Sequence, residues 1–401
     1  MSWIVALLVL GGSRATATPL FTTPPMTARS TVAPYQGAFD AAPAFQYRVR
    51  LPGGRTHSAT HAEWSTPVLG GDRIYLGSAA DQAMVALDRT SGASKVRFPA
   101  TNSVESEATV TDDALYFCDT GGNTYRYTLD GELVWRHDGS APILVAPTIL
   151  EQDGLLLVSA VDDLVVALDA ATGELAWQYH ARRDPTRHAE LTLFAAPRPL
   201  VVRGEDRDLA VLGFSSGAVI AVDLESGEEV WKRSVGEGRY PDVVGDLVGE
   251  GSDVLASGYF GPFVAIDLPS HNVRWRVEAG AAHAPLVTTD RIVHPGSDGI
   301  MRAIAPLTGA ELWRWDSGGS GALTTPVSTE AGLVVASSDG GVWIVDETTG
   351  QEVWRWHEPW LLTSISTPPA VEGRQMVFVT GSGWLYSLIV PTPSVSRRLW
   401  P

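Results

Sequence analysis

Several short stretches carry residue types that can do chemistry. "GFSSG" from Gly213 has the G-x-S-x-G spacing of a serine-hydrolase elbow, which needs a strand running into a helix and a His and an acid nearby. Here it falls between two apolar runs, aligned with "SDGG" near Asp339 and "TGSG" near Gly381, so it reads as a strand-to-strand turn. His57 and His61 in "HSATH" are four apart but lack the glutamate that follows the first histidine in a zinc-hydrolase helix; they read as loop histidines. Asp112-Asp113 and Asp162-Asp163 sit at hairpin tips, where Asp favours turn geometry. The glycines of "SGGSGAL" from Ser317 lack the Lys-Ser/Thr end of a phosphate loop. The one cysteine, Cys118, excludes an intrachain disulfide and a multi-thiolate metal site, and in "ALYFCDT" it reads as a small buried hydrophobe. No catalytic, metal or cofactor constellation emerges.

The chain has 401 residues, 44% hydrophobic, with forty glycines and 19% charged residues. That is enough apolar content for a sizeable core, in a chain that turns too often for long helices, so an all-β class is expected. The formal charge of −17 argues against nucleic acid or an anionic membrane as partner, since both select clustered positive charge. Residues 1–18 hold an apolar run from Trp3 to Leu10 followed by small residues, the pattern of a secretory signal that is too short to span a bilayer. Residues 19–43, rich in Thr, Pro and Ala, read as a spacer, and 44–401 as the folded body.

One unit recurs through that body. "VVALDAATGELAWQYH" (Val165 to His180) returns in six other copies, with turn-leading positions at Asp88, Tyr127, Asp169, Asp223, Asp267, Ala305 and Asp346. The intervals of 39, 42, 54, 44, 38 and 41 residues give a period near 42, that of a four-stranded propeller blade. Asp caps the turn and Gly four residues on takes φ > 0; His271 replaces that Gly in the fifth copy, which should make that turn different or costlier. Trp follows four residues later at Trp135, Trp177, Trp231, Trp275, Trp313 and Trp354, with Val96 there in the first copy. A large flat side chain in one register is expected to fill the gap between adjacent sheets, its indole N–H seeking an acceptor.

The last copy, "GRQMVFVTGSGWLYSLIV" from Gly373, lacks an outer strand, whereas "AFQYRV" from Ala44 matches "AWQYHA" from Ala176 with Phe45 in the place of Trp177. The expectation is an all-β, eight-bladed β-propeller of four-stranded antiparallel blades, closed by the N-terminal strand in the last blade. Polar residues beside Pro67, Pro147, Pro285, Pro326 and Pro368 are expected along its axial channel.

The A-x-D-x-x-[TS]-G-x-x-x-W register resembles the PQQ-like repeat family, whose fold is shared by quinoprotein dehydrogenases and non-enzymatic scaffolds. Its enzymes imply a quinone, a calcium ion and a pair of adjacent cysteines, and one cysteine cannot supply that pair. The chain is more similar to the BamB branch, periplasmic eight-bladed accessories of outer-membrane β-barrel insertion. That resemblance implies no cofactor, a monomer within a complex, and a barrel-assembly subunit as protein partner. The family's first contact segment maps to "ELTLFAAPRPL", with Leu191, Leu193 and Phe194, and Phe194 stands where the family has Arg. The second maps to "GRYPDVVGDLV", with Arg239, Tyr240 and Asp242, and Val244 stands where it has a second Asp. The family's lipid-anchoring cysteine is missing from "LVLGGS", which implies an exported, unanchored form. The alternative is a propeller that binds a quinone or other small ligand in its channel.

Overall fold

The structure, a computed structural model, describes residues 43–51, 65–181, 196–236, 241–357 and 364–391. Those residues form eight four-stranded antiparallel sheets and no helix. Blades 1 to 7 span 68–99, 109–137, 148–180, 200–234, 248–277, 286–316 and 327–357, each with its strands paired in chain order. Blade 8 combines 370–389 with the N-terminal strand Ala44–Arg50 as its outer strand, so the ring closes with the first strand of the chain beside the last.

No blade has its own core. The apolar clusters each straddle two consecutive blades, from 1–2 through 7–8 and back to 8–1, because each sheet is apolar on both faces. Residues such as Leu157, Ala210, Val254, Ile344 and Val377 are fully buried in these seams. First strands of neighbouring blades approach one another, which places them around the axis and the tryptophan strands at the rim.

The tryptophans are wedges with a defined acceptor. Trp135 Nε1 donates to Ala170 O, Trp177 to Leu224 O, Trp275 to Pro306 O and Trp313 to Glu347 O, in each case the residue after the turn-leading position of the next blade. Each indole also covers that turn's glycine. A Cβ on Gly173, Gly227, Gly309 or Gly350 would come within 2.7–2.9 Å of the ring atoms, and all four have φ between 69° and 76°. Glycine is required there twice over, by backbone conformation and by the ring above it. The Asp of the turn caps it as expected: Asp169 Oδ1 accepts from the N–H groups of Ala171 and Thr172 and from the Thr172 hydroxyl. Trp354 is partly buried against the seam between blades 7 and 8.

Two details of the sequence register are corrected. In blade 2 the turn-leading residue is Thr128, not Tyr127: Thr128 N donates to Glu132 O, whereas Asp169 N reaches one residue further, to Glu174 O. That turn is one residue shorter, so counting back from its glycine overshoots. In blade 8 the wedge is Tyr47, not Phe45. Ala167 pairs with Trp177 and the equivalent Ser387 pairs with Tyr47, while Phe45 opposes Leu388 and packs toward blade 7. Tyr47 donates to Arg89 O, the acceptor a tryptophan would use. The bulge between Phe45 and Tyr47 puts them on opposite faces of the sheet, and aromatic alternation in the sequence does not reveal a bulge.

Candidate functional site

Strands alternate in direction, so connections between blades and second-to-third-strand turns share one face of the disc, and the Asp–Gly turns lie on the other. On the first face the connections differ greatly in length. The one from blade 3 to blade 4 runs 19 residues, 181–199, the one from blade 8 to blade 1 runs 17, 51–67, and those from blade 4 to blade 5 and from blade 7 to blade 8 run 13 and 12, 235–247 and 358–369, against eight from blade 5 to blade 6. The long interval between Asp169 and Asp223 also includes a wide hairpin, 203–208, whose Arg203 reaches Asp153 of blade 3 and Asp208.

Leu191, Leu193, Phe194, Arg239 and Tyr240 lie outside the described residues, as do His57 and His61. Asp242 is described and is buried at 7% exposure, beside the isolated bridge between Val243 and Gly258. Its side chain belongs to the base of the connection and is not displayed at the surface.

A second polar group surrounds the axis, two or three residues before the innermost strands. Thr66 Oγ1 donates to Glu107 Oε1 at 2.9 Å, and Ala146 N donates to Glu107 Oε2 at 3.0 Å. Arg198 binds Asp246 twice, from its backbone N at 2.8 Å and from Nε at 2.6 Å, and the Asp246 charge holds the guanidinium still more firmly protonated than usual. Glu107, from before blade 2, adds to the same effect on Arg198 after Asp246. His283 is pushed down to about 4, chiefly by burial, and stays neutral in the channel wall. The group offers one cation, two carboxylates and a neutral imidazole: it can order water or a small polar ligand, and it contains no nucleophile. Thr66, beside Pro67, fits the channel expectation; Glu107, Arg198 and Asp246 share its place two residues before an inner strand, a signal that only the aligned repeat makes visible.

The other chemistry-bearing residues are structural. Ser215 of "GFSSG" sits in the turn between Leu209–Gly213 and Ala218–Asp223, and its Oγ donates to Asp163 Oδ2 at 2.6 Å, tying blade 4 to blade 3. Cys118 is fully buried against Thr124, and burial pushes its thiol up to about 12. Among the described residues no three His, Cys, Asp or Glu side chains gather as a metal site.

The family model described as "Outer membrane protein assembly factor BamB" matches residues 48–151, 127–299 and 297–400. A BamB of Burkholderia pseudomallei (strain K96243) is 26% identical over 266 residues, which cover 63% of this chain and 65% of that protein's length. The quinohemoprotein alcohol dehydrogenase ADH-IIG of Pseudomonas putida is 30% identical over 178 residues, 39% of this chain and 23% of that protein. Among solved structures, BamB from Moraxella catarrhalis superposes with a TM-score of 0.71 at 17% identity, covering 87% of this chain and all of that one, a likeness of fold.

Proposed function

The chain belongs to the family of the outer-membrane protein assembly factor BamB, and from that premise we propose that it is a non-catalytic, exported scaffold assisting the insertion of outer-membrane β-barrel proteins. The observation that carries this reading is the 19-residue connection from blade 3 to blade 4, the longest in the ring, next to the 13-residue one from blade 4 to blade 5 on the same face of a ring whose blades are locked to each other. Rigid blades hold the two connections at a set spacing, which lowers the ordering cost of docking. Leu191, Leu193 and Phe194 then act as apolar anchors, and Arg239 and Tyr240 as polar orienters. Asp242 shapes the second connection from beneath, because a buried carboxylate is poorly placed to contact a partner.

The partner is a barrel-assembly subunit of the outer membrane and the working compartment is the periplasm. Among the described residues no helix is long and apolar enough to cross a membrane. The test is co-purification from envelope extracts, wild type against a Leu191→Glu, Arg239→Glu double change; Asp242 is spared because charge reversal at a buried position would disturb the fold. Recovery of a barrel-assembly subunit with the wild type and its loss with the variant supports the assignment. Failure of the wild type to recover one removes it.

The similarity to a quinohemoprotein dehydrogenase keeps a second reading in view, a ligand held by the polar group around the axis. An absorption spectrum of the purified protein separates the two, since a bound quinone absorbs in the near-visible.

A further inference from the structure

At the rim of the ring, the residue two positions after each wedge also faces the next blade. Four blades place a ring there. Phe98 meets Tyr127 at 5.6 Å, Tyr179 meets Phe214 at 5.8 Å, Trp315 meets Trp343 at 5.4 Å and Trp356 meets Phe378 at 5.1 Å. Blade 2 has His137 there and blades 5 and 8 have Val277 and Val49, whereas blade 4 has Arg233, which reaches across to Asn272 Oδ1 of blade 5 at 3.3 Å. With no ring to fill it, the slot between blades 4 and 5 is an open cleft of about 430 Å³. It is lined by Val235, Val264 and Val273 together with Lys232, Arg233 and Arg276.

The electrostatics of the cleft are opposite to those of the chain. Arg276 is engaged by Glu278, but among the described residues neither Lys232 nor Arg233 has a carboxylate partner. Lys232 is one of only two lysines in a protein of net charge −17. Two uncompensated cations beside an apolar lining attract a carboxylate that brings an apolar group with it. The same junction also departs from the repeat at its turn, where His271 replaces the glycine.

We propose that the cleft between blades 4 and 5 is a peptide-binding site for an extended acidic segment of a partner protein, whose aromatic side chain enters the slot that four other blades fill from within. Lys232 and Arg233 pair with carboxylates flanking that ring. The inference goes beyond the assembly reading and does not rest on it; a peptide titration needs no envelope component, so either idea can fail without the other.

The test is calorimetric titration of the whole protein with acetyl-EEFEE-amide. Controls are acetyl-EEAEE-amide, which lacks the ring, acetyl-KKFKK-amide, which lacks the acids, and a thymidine decanucleotide. The expected result is binding of the first peptide, with each control weaker by about tenfold or more. Arg233→Tyr supplies the missing ring from within and is expected to abolish binding while leaving the circular dichroism spectrum unchanged. Lys232→Glu with Arg233→Glu, both on the rim, is expected to abolish it by charge alone. Equal binding of any control, or undiminished binding by either folded variant, overturns the proposal.

Discussion

The imidazole of His271 stacks on the indole of Trp231, with ring centroids 5.1 Å apart and planes 21° from parallel. At the equivalent place four other tryptophans cover a glycine and donate to the carbonyl beside it. Here the residue beneath is held at φ 57°, a left-handed conformation that costs a side chain about 1 kcal/mol, and Trp231 Nε1 is buried without an acceptor. His271→Gly removes the strain and lets Trp231 settle toward Leu268 O, at the expense of the ring stack. The expected net gain is about 1 kcal/mol in urea unfolding. A loss of stability would show that the stack outweighs both defects.

The converse change isolates what the wedge contributes. Gly227 has φ 72° and lies under Trp177, where a Cβ would sit 2.8 Å from the ring, whereas Gly71 has φ 59° and open space around it. Gly71→Ala carries backbone strain alone, about 1 kcal/mol. Gly227→Ala must also displace the indole and weaken its hydrogen bond to Leu224 O, for a total of about 2–4 kcal/mol. Equal thermal shifts for the two variants would mean the wedge has no energetic role.

What was legible in the sequence divides along a physical line. The blade count, the Asp caps and the tryptophan wedges were readable because each is a local pattern repeated many times over. The splice in blade 8 was readable as a strand but not in register: in a regular strand Phe45 and Tyr47 would share a face, and the bulge between them turns Phe45 toward blade 7 and Tyr47 toward Arg89 O of blade 1. Glu107, Arg198 and Asp246 come together from blades 2, 4 and 5, a proximity no local pattern encodes. Asp242, which only the match to the family's second contact segment singles out, is buried, and burial at a loop position is not encoded in that match.

The blade 8 register makes a stability order. Tyr47 carries the closing hydrogen bond to Arg89 O, and burial pushes its phenol up to about 12. Around it Gln375 donates to Arg89 O and Ser387, and Arg89 pairs with Glu372, so one network joins blade 1 to blade 8. Tyr47→Phe is expected to cost about 1 kcal/mol and Tyr47→Ala about 3 kcal/mol or more, with early loss of the N-terminal strand in hydrogen exchange. Phe45→Ala, at a partly buried position away from the network, should cost less than Tyr47→Ala. The opposite order would restore Phe45 as the wedge.

The last prediction concerns acid. His294 is fully buried in blade 6, stacked on Phe263 at 4.3 Å, with Nε2 at 3.0 Å from Ala279 O and Arg302 and Asp298 nearby. Burial first, and then the Arg302 charge, push its imidazole from 6.5 down to about 4. In the unfolded chain the ring takes a proton below about 6.5, and in the folded protein it does so only near 4, so the unfolded state binds more protons across that interval. The stabilisation is complete above the unfolded value and falls away as pH drops toward 4, by about 3 kcal/mol in all. His283 shifts in the same direction and shares the window. His294→Phe is therefore expected to reduce, without abolishing, the slope of urea-unfolding stability between pH 6.5 and 4. An unchanged slope would mean that the buried imidazole does not govern acid sensitivity and that other groups carry it.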